Sequence, residues 1–268
     1  MNINSIQYIQ NILKSQGYIL GCKIHYHEEL SSTMIIAKNL AIQGCDSGTT
    51  VVAKTQISGR GRLDRNWSSP EGGIWMSIVL RPPIDPYDVP LITLASGVSV
   101  CKVIQKLFNL TPGLKWPNDV VINGKKVCGI LTEGCIDSGM VSYAVLGIGI
   151  NLNFSADLLP TEFKASATTL LTESGKPIEP EQFLHQLLIE LNSVYRELID
   201  NRPQIIDLWR NFSVTIGKEV SAFYNNKIIS GIAKDITQDG NLIIKLDTGE
   251  EIEVCSGEVS LRCNNTYA

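Results

Sequence analysis

Hydrophobic positions along the chain change period several times, and each change marks an element. Residues 5–17 put Ile6, Ile9 and Leu13 on one helical face, with Ser5 as the expected cap and Gly17 as the stop. "GCKIHYHEEL" (21–30) reads as a strand. "SSTMIIAKNLAIQG" (31–44) reads as a helix capped at Ser31 or Ser32 and ended by Gly44. "TTVVAKTQ" (49–56) is β-branched and strand-like. "GIWMSIVLRP" (73–82) alternates, with Ile74, Met76, Ile78 and Leu80 on one face. Residues 91–109 return to a helical period.

Two apolar runs then flank Asn123-Gly124 in "LKWPNDVVINGKKVCGILTEG", the dipeptide favoured at a tight type I′ turn, so a β-hairpin is expected. "VSYAVLGIGINLN" (141–153) reads as a strand ending in a glycine-rich bend, followed by helices near 181–200 and 203–212. Beyond Gly217 the pattern becomes short strands broken by "NN", "DG" and "TG" turns, the signature of a small barrel. The expected architecture is α+β: a mixed β-sheet covered by helices on one face over residues 1–214, then a β-barrel over residues 215–268.

Composition narrows the class. The 268 residues are 44% hydrophobic and 19% charged with a net charge of −4, which suits a water-soluble globular protein and argues against a broad electrostatic footprint for DNA or an anionic membrane. The N-terminus lacks the basic and apolar regions of a signal peptide, and no apolar run reaches the roughly 20 residues of a membrane span. Seven cysteines without a C-x-x-C pair fit neither a zinc site nor a disulfide framework and suit a reducing cytoplasm. His25 and His27 share one side of a strand, but no third metal ligand is close in sequence.

Against this acidic background, "ISGRGRLDRNWSS" (57–69) stands out. Gly59 and Gly61 permit close backbone approaches. Arg60, Arg62 and Arg65 supply forked, permanently charged donors for phosphate or carboxylate, and Trp67 supplies a flat face for an aromatic base. These residues alone leave two readings open: a loop that orders around an anionic aromatic ligand, or a solvated Arg/Gly segment. "KWPNDVVINGKKVCGIL" adds Asn118 and Asp119 as oxygen ligands for Mg²⁺ or a hydroxyl. It also adds Lys126 on a rigid hairpin, with Lys115 and Lys125 competing for the same role. In "GIGINLN", Gly147 and Gly149 leave room for a bound molecule and Asn151 presents an amide.

In their order and spacing, "GRGRLDRNW", "KWPNDVVINGKKVCGIL" and "GIGINLN" resemble the biotin–protein ligase family. Ser31–Thr33 fits the family's serine-threonine segment, and "GEVSLR" fits its C-terminal SH3-like barrel. The resemblance implies a catalytic domain related to class II aminoacyl-tRNA synthetases. It also implies formation of biotinyl-5′-AMP from biotin and Mg²⁺-bound ATP, then transfer to a lysine of a biotin carboxyl carrier protein, in the cytoplasm, without a membrane partner and with a homodimer as one possible assembly.

By resemblance, Lys126, Arg62 and Asp119 are catalytic. Ser32, Thr33, Gln56, Gly59, Arg60, Gly61, Arg62, Lys126, Gly129, Gly147 and Gly149 form the biotin site. Arg60, Arg65, Trp67, Lys126, Asn118, Asn151, Glu258 and Arg262 form the nucleotide site, with Trp67 stacked on adenine. No resident metal is implied. Met34 departs from the asparagine usual in the family at that place. Only about 20 residues precede the first strand, fewer than a DNA-binding domain needs, so a ligase without repressor function or DNA partner is expected.

Overall fold

The computed structural model describes residues 1–224, 227–255 and 258–261, with side chains for all of these except Glu258, Ser260 and Leu261. In chain order the elements are α1 (Ile3–Ser15), β1 (Lys23–Leu30), α2 (Thr33–Ile42), β2 (Thr49–Arg60), β3 (Asn66–Ser69), β4 (Ile74–Leu80) and α3 (Val89–Phe108). A meander follows: β5 (Gly113–Lys115), β6 (Asp119–Ile122), β7 (Lys125–Asp137) and β8 (Met140–Ile150). Next come α4 (Leu170–Ser174), α5 (Pro180–Asp200) and α6 (Arg202–Phe212). The last strands are β9 (Glu219–Tyr224), β10 (Lys227–Ile236), β11 (Leu242–Lys245), β12 (Glu251–Val254) and β13 (Glu258–Leu261).

Seven strands of the large sheet lie in the order β1-β2-β4-β8-β7-β6-β5, and β3 folds back on the far end of β2. Only β1 and β2 are parallel, joined by α2 as a crossover; the remaining pairs are antiparallel. Alternation along the central strands sends two sets of side chains in opposite directions. Val52, Ile78, Leu146 and Ile148 enter a large core with α1, α3, α5 and α6, whose contributions include Ile6, Ile92, Leu187 and Trp209.

The opposite face is not bare, contrary to the expectation of helices on one side. Met34, Ala37 and Ala41, at helical spacing on α2, close over Val51, Val79 and Val145. The strand pattern of β4 showed one apolar face because Ser77 interrupts the other, yet Trp75, Ser77 and Val79 are as buried as their neighbours. A further correction concerns α1: its cap is Asn2, whose side-chain oxygen accepts the Ser5 backbone N–H at 3.0 Å. Residues 86–108 are long and apolar enough to cross a membrane, which the sequence reading had excluded; here most of that span is buried against the sheet and α5.

The C-terminal strands form an antiparallel sheet in the order β12-β11-β10-β9-β13, whose Val220, Ala222, Ile244 and Val254 join the same large core. It is fixed by directed contacts. Trp116 Nε1 donates to the Gly240 carbonyl at 2.9 Å, Arg210 reaches both oxygens of Asp235, and Arg202 pairs with Asp88 and Asp239.

Candidate functional site

α2 covers its face of the sheet over Val145 and, through Met34 at its first turn, reaches the edge of Gly147. Two and four residues beyond Val145 along β8 the inward positions are Gly147 and Gly149, and the register sets Gly129 of β7 beside Gly149. With no side chains there, the sheet becomes the floor of a cavity of about 390 Å³, within the usual range for small-molecule sites.

The Arg/Gly segment is the roof. It is an ordered β-hairpin arm rather than an open loop: β2 runs to Arg60, turns through Leu63 and Asp64, both left-handed (φ 53° and 56°), and returns as β3. Close approach explains Gly59, since any Cβ there would come within 2.4 Å of the Trp67 carbonyl oxygen. Trp67 points down to the floor, so that a Cβ on Gly149 would meet its Nε1 at 2.6 Å and one on Gly129 its ring at 2.8 Å. The arm is tied to α2 at its base. Gln56 Oε1 accepts both the backbone N–H (2.8 Å) and hydroxyl (3.1 Å) of Thr33, while its amide nitrogen donates to Ser69.

The acid-binding end comes from β6 and β7. Asn123 and Gly124 both have positive φ, as a type I′ turn requires. The register then slips: Val121 faces Lys126, but Val120 faces Cys128, leaving Val127 as an extra residue. Side chains alternate along a strand, so Lys126 and Gly129 would otherwise face opposite ways. The bulge re-aims Lys126 to the floor side, where its Nζ lies 2.6 Å from Asp119 Oδ1 and 5.0 Å from the Trp67 ring centre. Backbone bonds to residues 166 and 168 hold Lys126 on its other edge. Arg62 donates to Asn118 Oδ1 at 3.1 Å, and Arg60 lies 3.5 Å from Asp64 and 3.7 Å from Glu133.

Among the described residues, three buried polar atoms on this cavity have neither a hydrogen-bond nor an ion-pair partner, Ser32 Oγ, Trp67 Nε1 and Asn151 Oδ1, while Asp119 Oδ1 is met by the Lys126 ammonium alone. Orphaned buried groups are rare, and three on one cavity mark a place where a polar ligand completes the bonding. Trp75 makes the contrast, since its equally buried indole N–H donates to Pro70.

The cavity therefore gathers Ser32, Thr33, Gln56, Arg60, Gly61, Arg62, Arg65, Trp67, Asn118 and Asp119 from the sequence reading, and with them Lys126, Gly129, Gly147, Gly149 and Asn151. Gly59 shapes the arm without lining the cavity. Arg262 and the side chain of Glu258 lie outside the described residues. Lys115 lines the cavity too, without the bulge that aims Lys126. Sequence reasoning singled out Met34 only as a departure from the family pattern and missed Trp116 and the wall from Leu159 to Ala167, a segment whose lack of periodicity gave no signal.

Residues 26–151 match the Biotin/lipoate A/B protein ligase family and residues 215–262 the Biotin protein ligase C terminal domain. The chain is 36% identical over 245 residues to the bifunctional ligase/repressor BirA of Bacillus subtilis, spanning 91% of this chain and 75% of that one. The chain belongs to the biotin/lipoate protein ligase family. Another family member, the biotin–[acetyl-CoA-carboxylase] ligase of Mycobacterium tuberculosis, is 31% identical over 229 residues, covering 82% of this chain and 81% of its own. The family fold is equally clear in three dimensions. The Aquifex aeolicus biotin protein ligase solved in complex with biotin and ATP superposes with a TM-score of 0.73 at 29% identity, over 90% of this chain and 98% of that one.

Proposed function

We propose that this chain is a biotin–protein ligase that makes biotinyl-5′-AMP from biotin and ATP and passes biotin to a lysine of a biotin carboxyl carrier protein. The observation that carries the reading is the meeting of Arg60, Arg62, Arg65 and Lys126 on one cavity that also holds neutral polar groups. Cations suit an acid and a triphosphate; Ser32, Thr33 and Gln56 suit the uncharged ureido ring of biotin.

In the first step a biotin carboxylate oxygen bonds to the α-phosphorus, the bond to the bridging oxygen breaks, and pyrophosphate leaves. Bringing two anions together and building charge on phosphate oxygens calls for fixed cations rather than a nucleophilic side chain. Lys126, held by Asp119 and the bulge, bridges the carboxylate and α-phosphate; Arg62, braced by Asn118, and Arg60 hold the same oxygens; Arg65 serves phosphate. In the second step the carrier lysine nitrogen attacks the anhydride carbonyl carbon and loses a proton, and AMP departs with the linking oxygen. Asp119 is the carboxylate nearest that exchange. Asn151, with one amide oxygen unpaired, meets the nucleotide. The arm excludes water, which would otherwise hydrolyse the anhydride.

The indole of Trp67 is already packed on Gly129 and Gly149, so we assign it to the wall of the acid's chain rather than to the adenine stack. Magnesium enters with ATP, where its charge is needed on the phosphates. In this reading residues 1–22 serve the fold: α1 packs Ile6, Ile9 and Leu13 into the core. The test is pyrophosphate release from ATP and Mg²⁺ by the purified protein, with biotin or lipoate as the acid. Release with biotin is expected; release with lipoate alone would overturn the assignment.

A further inference from the structure

We infer that Met34 is a specificity-determining residue, packing its thioether against the sulfur-containing ring of the bound acid. This deepens the proposed function and rests on it. Met34 is the second residue of α2, 5% exposed, and it lines the cavity. A Cβ on Gly147 would meet its Sδ at 2.6 Å and its Cγ at 3.2 Å, so the thioether rests on the floor at Gly147 and forms the cavity wall there. Its neighbour Thr33 is fixed by Gln56 and by the Ser77 hydroxyl (2.7 Å), and Ser77 is the β4 residue beside Gly147.

The floor sets the order along a ligand. With its carboxylate at Lys126, beside Gly129 and Gly149, an acid running along β8 reaches Gly147 about 7 Å later, two residues of extended strand. That span matches the four-methylene chain of biotin, so the thiophane ring falls beside Met34, against the flank of the thioether that faces the cavity, while the ureido group continues to Ser32, Thr33 and Gln56. A thioether is flexible and polarisable and conforms to an irregular apolar ring better than a stiff side chain does.

If Met34 and the ring sulfur make one contact, removing either partner removes the same contact. The experiment compares biotin with desthiobiotin, which lacks the sulfur and the closed ring, as substrates for ATP–pyrophosphate exchange by wild type, Met34→Ala and Met34→Val. In the wild type, biotin is preferred in kcat/KM. In Met34→Ala that preference falls about tenfold, the size of effect that small apolar groups have in such pockets, and in Met34→Val it falls by less. A purely structural Met34 would lower both substrates equally. An unchanged ratio in both variants, with biotin-dependent exchange intact, overturns the inference and leaves the proposed function standing. No biotin-dependent exchange by the wild type overturns the proposed function itself.

Discussion

At the residue scale the site depends on a few atoms whose placement is demanding. Lys126→Ala removes the ammonium but not the hairpin, so pyrophosphate exchange is expected to fall about 100- to 1,000-fold while biotin binding by calorimetry changes much less. A larger loss from Lys115→Ala would mean that the wrong lysine was chosen. Gly149→Ala puts a methyl group into the Trp67 indole and should displace it, raising the KM for biotin at least about tenfold while the melting temperature moves little; an unchanged KM contradicts the described floor. The crowding of arginines, glycines and a tryptophan marked this segment beforehand, although alone it left a solvated Arg/Gly segment equally open; the structure brings those residues to one cavity. Met34 was marked only as a departure from the family's asparagine, and its place on the cavity wall was not legible. It is core on one side and cavity wall on the other.

At the element scale the hairpin turn at Asn123-Gly124 was readable from two letters, but the bulge behind it was not. Bulges arise from which residues the core accepts: here Val127 and Cys128 are both fully buried, and that choice turns Lys126 toward the cavity. Gly124→Ala places a side chain at φ +76°, which costs about 1 kcal/mol and should lower the melting temperature by about 2–4 °C. It should also slow exchange by loosening the support of Lys126. Full exchange activity at a lowered melting temperature would separate the turn from the site. The arm from Arg60 to Trp67 looked like a loop in sequence because its strand pairing lies between residues with no apolar alternation.

At the scale of the whole molecule, the change of texture near residue 217 marks the start of the second sheet, and a unit so small was expected to lean on the larger one, but the particular contacts were not legible, because bonds such as Trp116 to Gly240 join distant segments. Trp116→Phe keeps most of the ring and leaves the Gly240 carbonyl without its donor, so a loss of about 1–3 kcal/mol, read by chemical denaturation, is expected; no loss would show the bond to be dispensable. The pH response follows from two half-buried histidines. Burial lowers the pKa of His185, and burial with nearby Lys23 and His27 lowers that of His25, below the ordinary 6.5. The folded state therefore binds these protons less tightly than the unfolded chain. Their contribution is intact above pH 6.5 and is lost as the pH falls below it toward the folded values. A His25→Asn, His185→Asn double variant should lose less melting temperature between pH 7 and pH 5 than the wild type; an equal loss would assign the acid response to other groups.

The molecule as a whole is organised so that cations from the arm and from the β6–β7 hairpin reach one cavity. If an acid meets ATP there, one carboxylate oxygen must end on phosphorus. Biotin labelled with ¹⁸O in its carboxyl group, turned over with ATP, Mg²⁺ and a carrier domain, is predicted to give AMP bearing one ¹⁸O per biotin transferred, read by mass spectrometry, with the rate of labelled AMP formation falling about 100- to 1,000-fold in Lys126→Ala. Biotinylated carrier accompanied by unlabelled AMP would contradict the account.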